Sequence, residues 1–313
     1  MPALGLGTAA IGRPQYINIR QNGSKKEQSL EDFRQQGLYL LEAAYQSGIR
    51  YFDTAPGYGM AEQLLHDWLQ QHPHDDVELA TKWGYKYVAN FDPNATVHEV
   101  KEHSIDLLNT QWSQSQALLP ELSTLQIHSA TFDSGVLRNE AVLDRLQEIK
   151  TSGIKVGLST TGASQTDVLE AALAIEREGE PLFEVFQVTY NMLDQSLAKL
   201  MPQLQDKRVV IKEALANGRI FPNTHYPQYQ RLYEALDTLA KNYDVGIDAI
   251  ALRYAMDSIQ PFTVLSGAAQ AAHVNGNLKV HDFALSASEI ELLNSFRVPA
   301  ENYWTERKQL GWN

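Results

Sequence analysis

The sequence predicts an α/β fold: a closed parallel (β/α)8 barrel of the TIM type with extra C-terminal helices. Three observations predict it. Eight short, mostly apolar runs alternate with longer segments whose apolar residues recur at i, i+3 and i+4. No Pro/Ser linker or low-complexity stretch divides residues 1–313, which are read as one domain. The paired glycines of "GLGTAAIG" (5–12) lead into the polar, turn-rich "RPQYINIRQNGSKKEQS" and not into a helix. That argues against an open doubly wound sheet with a dinucleotide loop after its first strand.

In chain order, the run "ALGLGTA" (3–9) is followed by the helical segment "EDFRQQGLYLLEAAYQSG", which stops at Gly48 before "GIRYFDTA" (48–55). "AEQLLHDWLQQ" then leads to "VELATKWG" (77–84), and "LSTLQIHS" (122–129) supplies the fourth strand. "AVLDRLQEIKTSG" ends at Gly153 before "IKVGLST" (154–160), and "QTDVLEAALAIERE" precedes "EVFQVTYN" (184–191). "RVVIKEA" (208–214), "LYEALDTLAKNY" and "PFTVLSGA" (261–268) complete the alternation. "GIDAIALRYAMDS" and "SASEIELLNSF" exceed what one βα unit needs and are read as helices packed on the barrel.

The chain has 313 residues, 43% hydrophobic and 20% charged, and a formal charge of −12 with no basic block. A nucleic-acid or anionic-membrane surface needs clustered Lys and Arg, so neither partner is expected. With no cysteine, disulfides, thiolate catalysis and Cys-ligated metals are excluded. "MPALGLGTAA" lacks the charged region and long apolar core of a signal peptide, and no apolar run is long enough to span a membrane. The expectation is a cytoplasmic protein, with an oligomeric state that the sequence leaves open.

In a parallel barrel the chemistry sits at the C-terminal ends of the strands. The polar residues there are Asp53 on the second run, Lys82 on the third, Gln126 and His128 on the fourth, Ser159 and Thr160 on the fifth, Gln187 on the sixth, and Lys212 and Glu213 on the seventh. Alternation puts Tyr51 with Asp53, Ala80 with Lys82 and Gln126 with His128 on shared faces, so Asp53, Lys82 and His128 converge if those faces point inward. Each alone has an ordinary structural use: a turn cap, a snorkelling amine, a core histidine. Three together on successive strands, beside the loop residue Tyr58, do not.

A phenol titrates at about 10 and is a poor acid at neutral pH by itself. A neighbouring Lys82 ammonium favours the phenolate, Asp53 keeps that lysine charged, and His128 orients a carbonyl oxygen or relays the proton. The set contains no nucleophile, metal cluster or carboxylate pair. It moves a proton on or off an oxygen, and an oxygen that gains a proton suggests a carbonyl that gains hydride from a nicotinamide.

"YFDTAPGYGMAE", "ATKWG" and "LQIHS" resemble the three signature blocks of the aldo-keto reductases, and similarity continues through "FQVTYNMLD" and "VLSGAAQAAHVNGNL". The resemblance implies a barrel that binds NADPH, with NADH possible, in extended form across the strand ends, without a metal. It assigns Tyr58 as general acid/base with Asp53, Lys82 and His128 as partners, and places Ser159 and Gln187 at the nicotinamide carboxamide. Glu62 matches a glutamate that opens the second helix, where it suits the helix dipole. The substrate it implies is a small aldehyde, ketone or aldose, or the corresponding alcohol.

Two blocks depart from the pattern. "IKEALANGR" puts Lys212 where an aromatic commonly stacks on the nicotinamide, while Leu215, Asn217 and Gly218 of "LANG" resemble the loop whose amides embrace the pyrophosphate. Lys212 and Glu213 are candidates for an internal ion pair. After the eighth strand the family commonly has a Lys or Arg at the adenosine 2′-phosphate and a Glu-Asn pair at the adenine; here the run offers Gln270, His273 and Asn277, with Gly276 where the glutamate falls. Fewer fixed cations there weaken selection for a 2′-phosphate. Tyr16, in the loop 13–26, and Trp83 are expected to line the substrate pocket. "HPHDD" (72–76) is read as surface, and the aromatic tail "ENYWTERKQLGWN" either closes the pocket or docks on another chain. Two rival functions stay open: a non-catalytic nucleotide sensor on the same barrel, and a Schiff-base lyase acting through Lys212.

Overall fold

The computed structural model describes residues 2–15, 17–19 and 29–312. Among these, eight parallel strands close into a barrel: β1 (Ala3–Gly7), β2 (Tyr51–Asp53), β3 (Glu78–Trp83), β4 (Leu122–Ala130), β5 (Lys155–Thr160), β6 (Val185–Thr189), β7 (Arg208–Lys212) and β8 (Thr263–Ser266). Each pairs with the next in sequence, and β8 closes on β1 through Ala3 opposite Thr263. The first strand ends two residues earlier than its apolar run because Ala9–Gly12 coil into a helical turn.

The outer ring holds α1 (Leu30–Gln46), α2 (Ala61–Gln71), α3 (Ile105–Ser115), α4 (Glu140–Thr151), α5 (Gln165–Leu173), α6 (Gln230–Tyr243), α7 (Ile247–Ile259), α8 (Ala271–Leu278), α9 (Ala287–Asn294) and α10 (Ala300–Lys308). Local chemistry sets their ends. Ser29 Oγ accepts from Asp32 N at the start of α1, and Ser286 with Glu289 forms a capping box at α9. Gly48 and Gly153 follow α1 and α4 with φ of 99° and 97°, the left-handed turn expected after a helix. Pro202 cannot donate to a helix ladder, and the segment between β6 and β7, Ser196–Leu204, is a 3-10 helix.

The pleat sorts side chains by position. Tyr51, Ala80, Val185, Val210 and Leu265 form a separate cluster that plugs the barrel interior. Two residues further along four of those strands come Asp53, Lys82, Gln187 and Lys212, the layer above the plug. Outward residues such as Phe52, Leu79, Leu158 and Phe186 pack with the helices in the main core. Trp83 belongs to that outer set, 0% exposed and edge-on to His103 at 5.4 Å. The expectation that it lines the substrate pocket is corrected: one residue beyond Lys82, it faces the other side of the sheet.

Two features rise over the strand ends. After β3, Tyr85–Tyr87 and Glu99–Lys101 pair as an antiparallel hairpin. The C-terminal tail buries Tyr303 and Trp304, bridges Trp312 to Ile17, and stacks Trp312 on His98 with ring centroids 4.4 Å apart. The aromatic tail therefore packs on its own barrel.

Candidate active site

Above the apolar plug, Lys82 Nζ donates to Asp53 Oδ2 at 2.6 Å and to Thr54 O at 2.9 Å. The two charged side chains are 0% and 4% exposed, so the pair is fully desolvated and stands only because its hydrogen bonds are satisfied. Gln187 Nε2 completes Asp53 by donating to Oδ1 at 2.6 Å, with Gln126 Nε2 at 3.5 Å from the same atom. Barrel register produces this convergence: Asp53 lies opposite Ala80, Lys82 opposite Gln126, and Gln187 opposite Ser159.

Tyr58 ends the 3-10 turn Pro56–Tyr58 and is swung back over β3, its ring centroid 4.8 Å from Lys82 Nζ. Gly12 permits the swing, because a Cβ there would lie 2.0 Å from Tyr58 O. The turn is pinned by Arg13, whose Nη1 donates to Gly57 O at 2.9 Å and to Glu99 Oε2 at 2.8 Å. The same guanidinium sits 5.4 Å from the Tyr58 ring centroid and 4.6 Å from that of Trp312. His128 reaches the phenol from β4, with Nε2 3.3 Å from Tyr58 OH and the rings edge to face. A register shift between Ile127 and Ala130, with Ser129 at φ 56°, bends the strand end there.

The electrostatics run against one expectation. Tyr58 titrates well above its ordinary value, chiefly through desolvation and then through the Asp53 charge, which outweigh the opposing Arg13. Lys82 lies under the ring and is committed to Asp53, so the phenol keeps its proton at neutral pH. His128 is pushed well below the usual imidazole value by burial and then by Lys82, which keeps it neutral. A neutral phenol beside a neutral imidazole is a proton donor with a partner able to orient an oxygen. Glu62, at the start of α2, accepts from Thr81 Oγ1 and from Ser115 Oγ, and burial raises its carboxyl. It braces β3 from behind.

Asp53, Tyr58 and His128 open onto a cavity of about 1410 Å³ that continues past the β7 and β8 ends to the face of α1. Ser159, Gln187, Lys212, Leu215, Asn217, Gly218, Gln270, His273 and Asn277 all line it. The Gln187 amide nitrogen is spent on Asp53, and Ser159 Oγ accepts from Ser129 N at 2.8 Å. Lys212 Nζ donates to Thr189 Oγ1 at 2.9 Å and lies 3.8 Å from Glu213 Oε1, the internal pair anticipated from sequence. Glu213 is bound more closely by Arg307 at 3.2 Å, and its carboxyl is held down to about 2: Lys212, Arg307 and Arg219 together override a large burial effect. Tyr16 lies outside the described residues.

A long phosphate-bearing cofactor fits this cavity. Ala216, Asn217 and Gly218 curl the loop after β7 at φ of 47°, 54° and 87°. Asn217 Oδ1 is buried there without a hydrogen-bond partner among the described residues, and a Cβ built on Gly267 would meet open space. No group of three or more His, Cys, Asp or Glu placed to hold a metal occurs among the described residues. Sequence reasoning missed Arg13, Glu99, Tyr85, Arg307 and Asp248, all of which line the cavity or touch Tyr58 from segments with no recognisable motif.

The model of the "Aldo/keto reductase family" matches residues 3–297. D-threo-aldose 1-dehydrogenase of a Pseudomonas species is 23% identical, covering 88% of each chain. NADH-specific methylglyoxal reductase of Escherichia coli is 24% identical, covering 93% of each. Among solved structures, glycerol dehydrogenase AKR11B4 from Gluconobacter oxydans superposes with a TM-score of 0.71 at 21% identity, covering 94% of this chain and 90% of that one. No described helix is long and apolar enough to cross a membrane. The chain belongs to the aldo/keto reductase family, and like its relatives is an NAD(P)-dependent oxidoreductase built on a (β/α)8 barrel.

Proposed function

We propose that the protein interconverts a small carbonyl compound (aldehyde, ketone or aldose) and its alcohol, with Tyr58 as the general acid/base. One observation carries the reading: the Tyr58 hydroxyl stands 3.3 Å from a neutral His128, over a buried Lys82–Asp53 pair, at the inner end of a cavity of about 1410 Å³ that runs on past the β7 and β8 ends. When bound, NAD(P)H supplies hydride to the carbonyl carbon. Tyr58 gives its proton to the carbonyl oxygen as negative charge develops there, and His128 holds that oxygen in line with the phenol. Lys82 stabilises the resulting phenolate from beneath the ring until solvent reprotonates it, and Asp53, tied by Gln187, fixes the lysine. Oxidation of an alcohol or a sugar hemiacetal runs the same proton path in reverse. Ser159 and Leu215, Asn217 and Gly218 would hold the carboxamide and pyrophosphate of the cofactor.

The test is Tyr58→Phe with a panel of aldehydes, ketones and aldoses. Turnover is expected to fall about 10²- to 10⁴-fold, the usual worth of one general acid, while cofactor fluorescence titration is unchanged. Undiminished turnover overturns the assignment. The lyase alternative has a separate readout, because borohydride would trap a keto substrate on Lys212 as a stable secondary amine.

A further inference from the structure

One buried guanidinium is shared by segments far apart in the chain. Arg13 follows the helical turn Ala9–Gly12 and is 3% exposed. Besides its bonds to Gly57 O and Glu99 Oε2, it lies 5.4 Å from the ring centroid of Tyr58, 6.0 Å from that of Tyr87 and 4.6 Å from that of Trp312. The turn that ends at Tyr58, the hairpin after β3 and the C-terminal tail therefore meet on it. The backbone reinforces the junction. Met60 N donates to Gly12 O at 2.8 Å, and a Cβ on Gly59, whose φ is 67°, would lie 2.5 Å from the same oxygen.

The tail is seated here by contacts of its own. Trp312 bridges to Ile17 and stacks on the buried His98, whose carbonyl accepts from Val88 N across the hairpin. An indole face attracts a guanidinium and keeps water off it, and a cation in a dry site acts more strongly than a hydrated one. The phenol has a use for such a cation, because its ring carries negative charge once the proton has gone. The groups that face it are Asp53 from β2, Lys82 from β3, His128 from β4, and Tyr85 and Glu99 from the hairpin. Asp53 and Glu99 disfavour that charge, and Arg13 acts against them.

We propose that Arg13 is a positioning residue for Tyr58, and that it passes the seating of the C-terminal tail on to the proton-transfer step. With Trp312 over the guanidinium, Arg13 stays dry, holds Gly57 O and so fixes the phenol beside His128. Without Trp312, water hydrates the cation, its field on the ring is screened, and the turn Pro56–Tyr58 loses a rigid donor. Lysine at this position keeps the charge and gives up the planar face that stacks on indole. The inference rests on the assignment of Tyr58 as general acid/base.

The experiment measures kcat, KM and cofactor fluorescence titration of the full chain, with a carbonyl compound of the panel and its alcohol. The variants are Arg13→Met, Arg13→Lys, Trp312→Ala, Trp312→Phe and the double variant Arg13→Met/Trp312→Ala. Arg13→Met should lower kcat roughly ten- to a hundredfold, the scale of a displaced reacting group, with substrate KM and dinucleotide affinity changed far less. In alcohol oxidation Tyr58 accepts the proton, so the rise of kcat with pH should move upward in Arg13→Met and stay in place in Arg13→Lys. Trp312→Ala should lower kcat severalfold and move the profile the same way, Trp312→Phe should keep most of the activity, and Trp312→Ala should cost nothing further in the Arg13→Met background. The tryptophan variants keep the arginine, and if Arg13→Met does not fold, the cycle is read on Arg13→Lys, where the effect of Trp312→Ala should shrink. An unchanged kcat in Arg13→Met or Trp312→Ala, or a fall in kcat with an unmoved oxidation profile, overturns the proposal. Equal losses from Trp312→Ala with and without Arg13 overturn the link to the tail. Undiminished turnover in Tyr58→Phe overturns the acid/base assignment and the proposal with it.

Discussion

Glu213 offers the most quantitative test of how the C-terminal tail is tied to the barrel. It sits just past β7 between Lys212 and Arg307, accepts from Tyr303 OH at 3.2 Å, and has a carboxyl held from 4.5 down to about 2. The sign follows from the depression: the folded state binds the proton more weakly than the unfolded chain, so this stabilisation is full above the unfolded value and is lost as pH falls through it toward 2. A shift of that size corresponds to about 3 kcal/mol. Glu213→Gln keeps the shape and one acceptor and removes only the charge. Urea unfolding of both proteins at several pH values should show the wild type ahead by up to about 3 kcal/mol near neutrality. The advantage should narrow by roughly 1 kcal/mol between about pH 6 and about pH 3.5. A stability gap that stays constant over this range would refute the argument, because a gap made by packing alone does not titrate. Since Arg307 also lines the cavity, the variant should raise KM more than it lowers kcat.

Two further outcomes follow from the buried charges. Lys82→Met strands the Asp53 carboxylate in a dry site and should cost about 3–5 kcal/mol in unfolding free energy; Asp53→Asn in the same chain should restore part of it, and a loss below about 1 kcal/mol contradicts the buried-pair reading. For carbonyl reduction, the raised Tyr58 remains the protonated donor and the depressed His128 remains neutral, so kcat should stay level from roughly pH 6 to pH 9. A break in that window assigned to either residue by Tyr58→Phe or His128→Asn would show that the burial argument fails.

The residues most legible from sequence were those whose placement follows from strand period alone. Tyr51, Asp53, Ala80 and Lys82 share their faces because successive side chains must alternate, and the barrel plug and the charged layer above it follow from the same rule. The same rule, applied one position further, would have turned Trp83 outward. Its adjacency to Lys82 in sequence made it look like a pocket residue, although adjacency along a strand means opposite faces. The phenol illustrates a different gap: the identity of its neighbours was readable, but the balance between burial and charge was not. Lys82 lies close enough to favour a phenolate, yet it is paired with Asp53, and desolvation prevails.

By itself the sequence determined the eight-stranded alternation, the four residues proposed for proton transfer and the acidic, cysteine-free composition. Each depends on period, residue type or local spacing, which survive without knowledge of the fold. Only the tertiary structure decided which distant residues complete the site. Arg13 reaches Glu99 across 86 positions, Gln187 reaches Asp53 across 134, and Asn277 aims Asp248 from the next helix along. Such contacts leave no periodic trace, because barrel closure and not sequence distance brings them together, and they set the protonation of Tyr58 and the charge at the far end of the cavity.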